Sequence, residues 1–227
     1  MIKIIILTLL KYPQRLEKLS LFIQELKNSR FDVEIFYGID GNNIELCDTN
    51  EENIKIVKYN EEKYLYNRQK RLNGQPMTKG EFGCAWSHIN IYKKLLKDEI
   101  YNNYLILEDD VAFNENIEKI KNIISDAPPN YDLLHLSKTE WYPFIKINKV
   151  NDNFYIPFKR FFNRTTGYMI SKQGVKKLLN YTKEYISVPA DDLLSSIYIN
   201  TDFNLYVPEN YLFFEPENTI SIINNIK

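Results

Sequence analysis

The run Tyr104-Leu105-Ile106-Leu107, followed without a spacer by Glu108-Asp109-Asp110, constrains this chain more than any other stretch. Four apolar residues have the length of a short buried strand, and three consecutive carboxylates are an unusual way to end one. In an open α/β sheet the ligand crevice lies beyond the carboxyl ends of the strands, which puts these acids at its mouth. Clustered carboxylates repel one another, and a hard divalent cation with oxygen ligands relieves that repulsion and can in turn hold a diphosphate. The competing account is a solvated loop, or the acidic first turn of a following helix, where negative charge is favourable. The stretch alone does not separate the two.

The surrounding pattern is that of an α/β domain. Residues 2–10 read as a buried first strand, and 14–27 as an amphipathic helix with Leu16, Leu19, Phe22, Ile23 and Leu26 on one face. Phe31, Val33, Ile35 and Tyr37 then alternate with other residues as in a strand, and the Asp40-Gly41 turn signal closes it. Residues 42–77 are polar, with a weak pattern only around 54–66, and read as an excursion or flexible loop. Thr78 and Glu81 have capping-box spacing for a helix running to about Lys97, with Phe82, Ala85, Trp86, Ile89, Tyr92 and Leu96 inward. His88 lies on that helix, where a lone histidine is more often a structural group than a catalytic one.

Further strands are expected at 131–136, 166–170 and 204–207, and helices at 114–125, after Ser171 and through 199. Residues 137–164 read as irregular or hairpin-like. They carry Trp141, Tyr142, Lys159, Arg160 and Arg164, which could contact a sugar and a diphosphate, although each taken singly reads as an ordinary exposed loop side chain. Asp191 and Asp192, taken alone, read as a helix N-cap. The sum is one domain over residues 1–227, with a mostly parallel central sheet flanked by helices.

Composition narrows the function classes. The 29 basic and 30 acidic side chains nearly cancel, so the chain lacks the basic footprint of a nucleic-acid binder. Cys47 and Cys84 stand far apart, without metal or redox spacing between them, which favours free thiols in a reducing compartment. No apolar stretch has the length of a membrane span, and the first apolar run continues into Lys11-Tyr12-Pro13 without a small-residue cleavage site. A cytoplasmic protein is expected, with peripheral membrane contact compatible.

Several of these places together resemble glycosyltransferase family 25, the lipooligosaccharide β-galactosyltransferase and collagen galactosyltransferase-like family. The matching pieces are the first strand followed by Arg15, then Asp40-Gly41, then Thr78-Lys79-Gly80-Glu81-Phe82-Gly83-Cys84 with Ser87-His88. Leu105-Ile106-Leu107-Glu108-Asp109-Asp110, Gly167-Tyr168-Met169-Ile170-Ser171 and Pro189-Ala190-Asp191 follow in order. The chain departs from the family pattern at Leu7-Thr8-Leu9-Leu10, at Trp86, where a smaller apolar residue is common, and in the long segment before Thr78.

The resemblance implies a GT-A-like fold and inverting transfer of a hexose, galactose first, from a UDP-sugar to a hydroxyl of a glycan or glycosylated acceptor such as a lipopolysaccharide. It also implies manganese or magnesium. Glu108 and Asp110 are the implied metal ligands, with Asp109 between them an expected cofactor contact, and Asp191, then Asp192, the implied base. Thr8, Arg15 and Asp40 are expected donor contacts from strand-end geometry together with the resemblance, while Glu81 and His88 follow from the motif alone. Two alternatives stay open from the residues: a non-catalytic nucleotide-sugar or carbohydrate-binding domain of the same fold, and a two-carboxylate hydrolase.

Overall fold

The computed structural model of the chain describes residues 2–70, 75–139, 146–183 and 185–216. Trp141 and Tyr142 lie outside them. In chain order the first half comprises β1 (Lys3–Thr8), α1 (Pro13–Asn28), β2 (Asp32–Tyr37), β3 (Glu45–Asp48), β4 (Ile54–Tyr59), β5 (Glu62–Asn67) and α2 (Lys79–Lys97). It continues through β6 (Asn103–Glu108), β7 (Ala112–Phe113), α3 (Ile117–Ser125), β8 (Leu133–His135), β9 (Lys146–Lys149) and β10 (Phe154–Pro157). The last elements are β11 (Gly167–Ser171), α4 (Lys172–Thr182), α5 (Ala190–Asn200), β12 (Leu205–Pro208) and β13 (Phe213–Phe214).

The main sheet has eight strands in the order β2-β1-β6-β11-β8-β12-β10-β9. Parallel pairing of β1 with both β2 and β6 brings the carboxyl ends of three strands together, with Leu7 opposite Glu108 and Thr8 opposite Tyr37. The expected common direction holds for six strands. β11 and β10 run the other way, so β6–β11, β11–β8, β12–β10 and β10–β9 are antiparallel and the sheet is mixed.

The apolar runs of β1 and β6 are continuous because both faces of the sheet are covered. Ile5, Leu7, Tyr104 and Ile106 face one core, with residues of α2, α4 and α5. Ile4, Ile6, Leu105 and Leu107 face the other, with residues of α1 and α3. This alternation sets the direction of each acid that follows.

The capping box at the start of α2 is present in both halves. Thr78 Oγ1 accepts from the Glu81 backbone N–H, and the Glu81 carboxylate accepts from that of Thr78 at 2.7 Å. Within the expected excursion, the described residues up to 70 are not a loop: β3, β4 and β5 form a separate antiparallel sheet. It covers Trp86, whose ring meets Tyr59 and Tyr64 edge-on and whose Nε1 donates to Glu62 at 3.1 Å. The large side chain of Trp86 is therefore matched by the segment that precedes the helix. Among the described residues, no helix is long and apolar enough to cross a membrane.

Gly83 lets α2 rest directly on the turn after β2, since a Cβ there would lie 2.6 Å from the Ile39 carbonyl oxygen and 2.9 Å from the Gly41 nitrogen. Alanine normally stabilises a helix interior by about 1 kcal/mol over glycine, but here it must push apart two backbones. We expect Gly83→Ala to destabilise by about 1–3 kcal/mol in urea unfolding, and a raised midpoint would contradict the packing argument.

Candidate active site at the end of the sheet

Consecutive acids leave β6 in opposite directions. Glu108 shares the face of Tyr104 and Ile106 and so points toward α2, where its Oε1 lies 3.2 Å from His88 Nε2 and accepts from Thr165 Oγ1 at 2.5 Å. Asp109 shares the face of Leu105 and Leu107 and is 8% exposed. Its Oδ2 accepts from Thr8 Oγ1 at 2.6 Å, and its Oδ1 pairs with Arg15 Nη1 at 2.5 Å. Asp110 lies beyond the strand. Its Oδ2 is 3.5 Å from Arg15 Nη1, whereas its buried Oδ1 has no hydrogen-bond partner among the described residues.

A pocket of about 460 Å³ opens here. Glu108 and Asp110 belong to its wall at the strand end, Glu81 and Cys84 to α2, Asp191 and Asp192 to α5, and Asn163 through Thr166 and Glu215 to the connecting segments. Six of its lining side chains are acids and one, Arg164, is basic, so the wall carries net negative charge, which attracts cations.

The charges are unevenly tuned. Burial pushes Glu108 up, but the hydrogen bond and charge of His88, the Thr165 hydroxyl and Arg15 outweigh it, leaving its carboxyl below the ordinary value. Asp110 is pushed up to about 7 by burial and by the charges of Glu108, Glu215 and Asp109, against the pull of Arg15. Asp191 is also raised, by burial and the charge of Glu108, although the backbone N–H groups of Arg164 and Asp192 oppose this.

Asp191 and Asp192 are not the N-cap of α5. Pro189 holds that position, and both acids fall within the first turn, where the helix dipole favours them. Asp191 Oδ2 accepts from the Arg164 N–H at 3.2 Å and its Oδ1 from the Asp192 N–H at 2.9 Å. Arg164 sits at φ 80°, a region costly for a side chain other than glycine. Its backbone is held by Asp191 on one side and, on the other, by His135 Nε2, which lies 3.0 Å from its carbonyl. Burial pushes His135 down to about 4, so near neutral pH it is an uncharged donor. The Arg164 guanidinium lies 3.5 Å from Glu215.

The expected donor contacts divide. Thr8 and Arg15 converge on Asp109 beneath the pocket. Asp40 is paired with Lys11 at 2.6 Å and accepts the Asn42 N–H, the chemistry of a charged turn, and it is not part of the pocket wall. Glu81 reaches the wall, with its carboxylate engaged in the capping box. His88 is buried behind Glu108 as its orienting partner, with Nδ1 2.7 Å from the Tyr168 hydroxyl. Gly167 accommodates the Phe213 ring, 2.5 Å from where a Cβ would stand. Cys84, Asn163, Thr165, Thr166 and Glu215 had no site role in the sequence reading. The polar run Asn163-Arg164-Thr165-Thr166 directly before an apolar strand is the one local signal that marks this wall.

A carboxyl with a raised folded-state pKa favours the fold at low pH, and that contribution is lost as pH rises through the folded value. For Asp110 the window runs from about 4 to about 7. Without added cation, Asp110→Asn should match the parent near pH 4 and be more stable at pH 8, by up to about 4 kcal/mol. Equal unfolding midpoints at pH 8 would contradict this electrostatic picture.

The architecture matches that of a crystal structure described as a glycosyltransferase involved in the glycosylation of the major capsid of PBCV-1. The TM-score is 0.50 at 13% identity, with 99% of this chain and 98% of that chain covered. The fold is GT-A-like. In sequence, the chain is 28% identical over 200 residues to the procollagen lysyl hydroxylase and glycosyltransferase of Acanthamoeba polyphaga mimivirus, which covers 83% of this chain and 21% of that protein. It is 25% identical over 214 residues to procollagen galactosyltransferase 1-A of Xenopus laevis, covering 86% of this chain and 32% of that one. The chain thus spans a third or less of the length of these relatives. Residues 1–194, which hold β1, the α2 motif, the three acids, the Arg164 wall and Asp191, match the family described as Glycosyltransferase family 25 (LPS biosynthesis protein), and the chain belongs to that family.

Proposed function

We propose that this chain is an inverting hexosyltransferase that moves a sugar, galactose first, from a UDP-sugar to a hydroxyl of a glycan or glycosylated acceptor. The observation that carries the reading is one pocket with Glu108 and Asp110 on the strand-end wall and Asp191 on the wall formed by α5. Family membership and the galactosyltransferase name of the Xenopus relative support the sugar class.

The site fits a divalent cation of the manganese or magnesium kind. Asp110 Oδ1 is a buried oxygen without a partner among the described residues, and Glu108 beside it is held by His88 and Thr165. Two carboxylates offer part of an oxygen-ligand shell, which diphosphate oxygens and water can complete. When bound, such a cation neutralises the negative charge that develops on a departing nucleoside diphosphate.

The protein's own groups do the rest. His88 and Thr165 fix the orientation of Glu108, and Thr8 and Arg15 fix the turn that carries Asp110. Arg164 presents a positive group to the same pocket, in electrostatic reach of a diphosphate. Asp191 accepts the proton of the acceptor hydroxyl as its oxygen attacks the anomeric carbon from the face opposite the leaving group, giving inversion. Its raised pKa strengthens it as a base, and the two backbone N–H groups keep its carboxylate aimed. Asp192, the next residue of the same turn, is the second choice. The reading assigns the enzyme to the cytoplasm, in keeping with the free thiols Cys47 and Cys84.

Loss of the base should lower kcat by roughly a hundred- to ten-thousand-fold. Steady-state transfer assays of Asp191→Asn should show that loss with the donor KM little changed, while Asp110→Asn should impair KM and kcat together. Proton NMR of the product should show the inverted anomeric configuration. Full turnover by Asp191→Asn would remove Asp191 from the base role.

A further inference from the structure

Cys84 has no part in the transfer chemistry, yet it belongs to a second ligand set. Cys84 and His88 are four residues apart on α2 and so lie one above the other on the same helix face. That face meets Glu108. Cys84 Sγ, a His88 ring nitrogen and a Glu108 carboxylate oxygen all lie within 4.8 Å of one another. Ligand atoms around tetrahedral zinc stand about 3.3–3.8 Å apart, given bond lengths of about 2.0–2.3 Å. The His88–Glu108 pair is already at 3.2 Å, so a modest closing movement completes the triangle.

We infer that Cys84, His88 and Glu108 form a binding site for a thiophilic divalent cation of the zinc class, with a fourth position open to the pocket. The donor types are the reason: thiolate, imidazole and one carboxylate select zinc, whereas manganese and magnesium prefer oxygen. The histidine is also prepared as a ligand. Its Nδ1 lies 2.7 Å from the Tyr168 hydroxyl, which is itself 2.7 Å from the Tyr92 hydroxyl. With zinc on Nε2, the Nδ1–H donates to Tyr168 and the Tyr168 hydroxyl donates to Tyr92, so one chain of hydrogen bonds fixes tautomer and ring orientation. Asp110, Asp191 and Glu81 on the same pocket wall add negative charge that favours a dication. Burial and that charge push the Cys84 thiol up, so it is protonated in the free protein and gives up its proton to solvent as the cation binds. On the transfer reading above, zinc in this site withdraws Glu108 from its place beside Asp110. The binding itself does not depend on that reading.

Cobalt(II) substitution without donor or acceptor tests the site. The expected spectrum has a thiolate-to-cobalt charge-transfer band in the near ultraviolet and intense visible bands of tetrahedral coordination. The charge-transfer band should vanish in Cys84→Ser and persist in Cys47→Ser, with urea unfolding confirming that both variants fold. Zinc titrated against a chromophoric chelator should bind at least about tenfold more weakly to Cys84→Ser and His88→Gln. Tyr168→Phe should weaken it by roughly ten- to a hundredfold through the histidine alone. Absence of the thiolate band from the unmodified protein, or its survival in Cys84→Ser, would overturn the assignment.

Discussion

Asp109 is the interaction on which the site depends. It is the middle of three acids, and strand alternation turns it away from the pocket toward Thr8 and Arg15, where a hydroxyl and a guanidinium neutralise and bury it. The contact spans the sheet: Thr8 closes β1, Arg15 begins α1, and Asp109 follows β6. It therefore ties the carboxyl ends of two paired strands to the first helix. The parity that sends Asp109 to α1 sends Glu108 to α2, where His88 waits. A one-residue slip would exchange the two, burying Glu108 beside Arg15 and leaving Asp109 against His88, so the register of β1 with β6 is part of the site's chemistry.

The remaining charge is left under tension. Glu108 is stabilised by His88 and Thr165, but Asp110 faces Glu108, Glu215 and Asp109, offset by Arg15 at 3.5 Å. The strained backbone of Arg164 adds to the same wall. Repulsive acids and an outlying backbone conformation both cost stability in the free protein. They make sense together if a cation and a diphosphate complete the site. The rigid frame that bears the cost is the doubly covered sheet, whose two cores pack on opposite faces of β1 and β6.

Much of this was legible in the sequence wherever one residue type at one spacing has one physical use. The β1–α1–β2 unit followed from periodicity, the α2 start from Thr78 and Glu81, and the acids from an apolar run that ends too abruptly. The reversed strands were hidden, because Gly167-Tyr168-Met169-Ile170 reads the same in either direction. β3 to β5 were hidden by Lys, Glu and Asn on their outer face, although Val57 and Tyr66 are buried. Side-chain roles were least legible. Asp40 read first as a turn and is one, paired with Lys11, while Thr8 and Arg15 serve another side chain, and Glu215 reaches the pocket from far along the chain. Those outcomes depend on which residues the topology brings together, which local pattern does not encode.

The central claim is that the pocket binds a nucleotide sugar and cleaves it with cation assistance. Its most direct test is release of UDP from a panel of UDP-sugars by the purified protein, with and without manganese, in the presence of candidate glycan acceptors. The account predicts cation-dependent UDP release from one donor, UDP-galactose first, that is strongly reduced in Asp110→Asn. The absence of binding and release with every donor in the presence of manganese would contradict it.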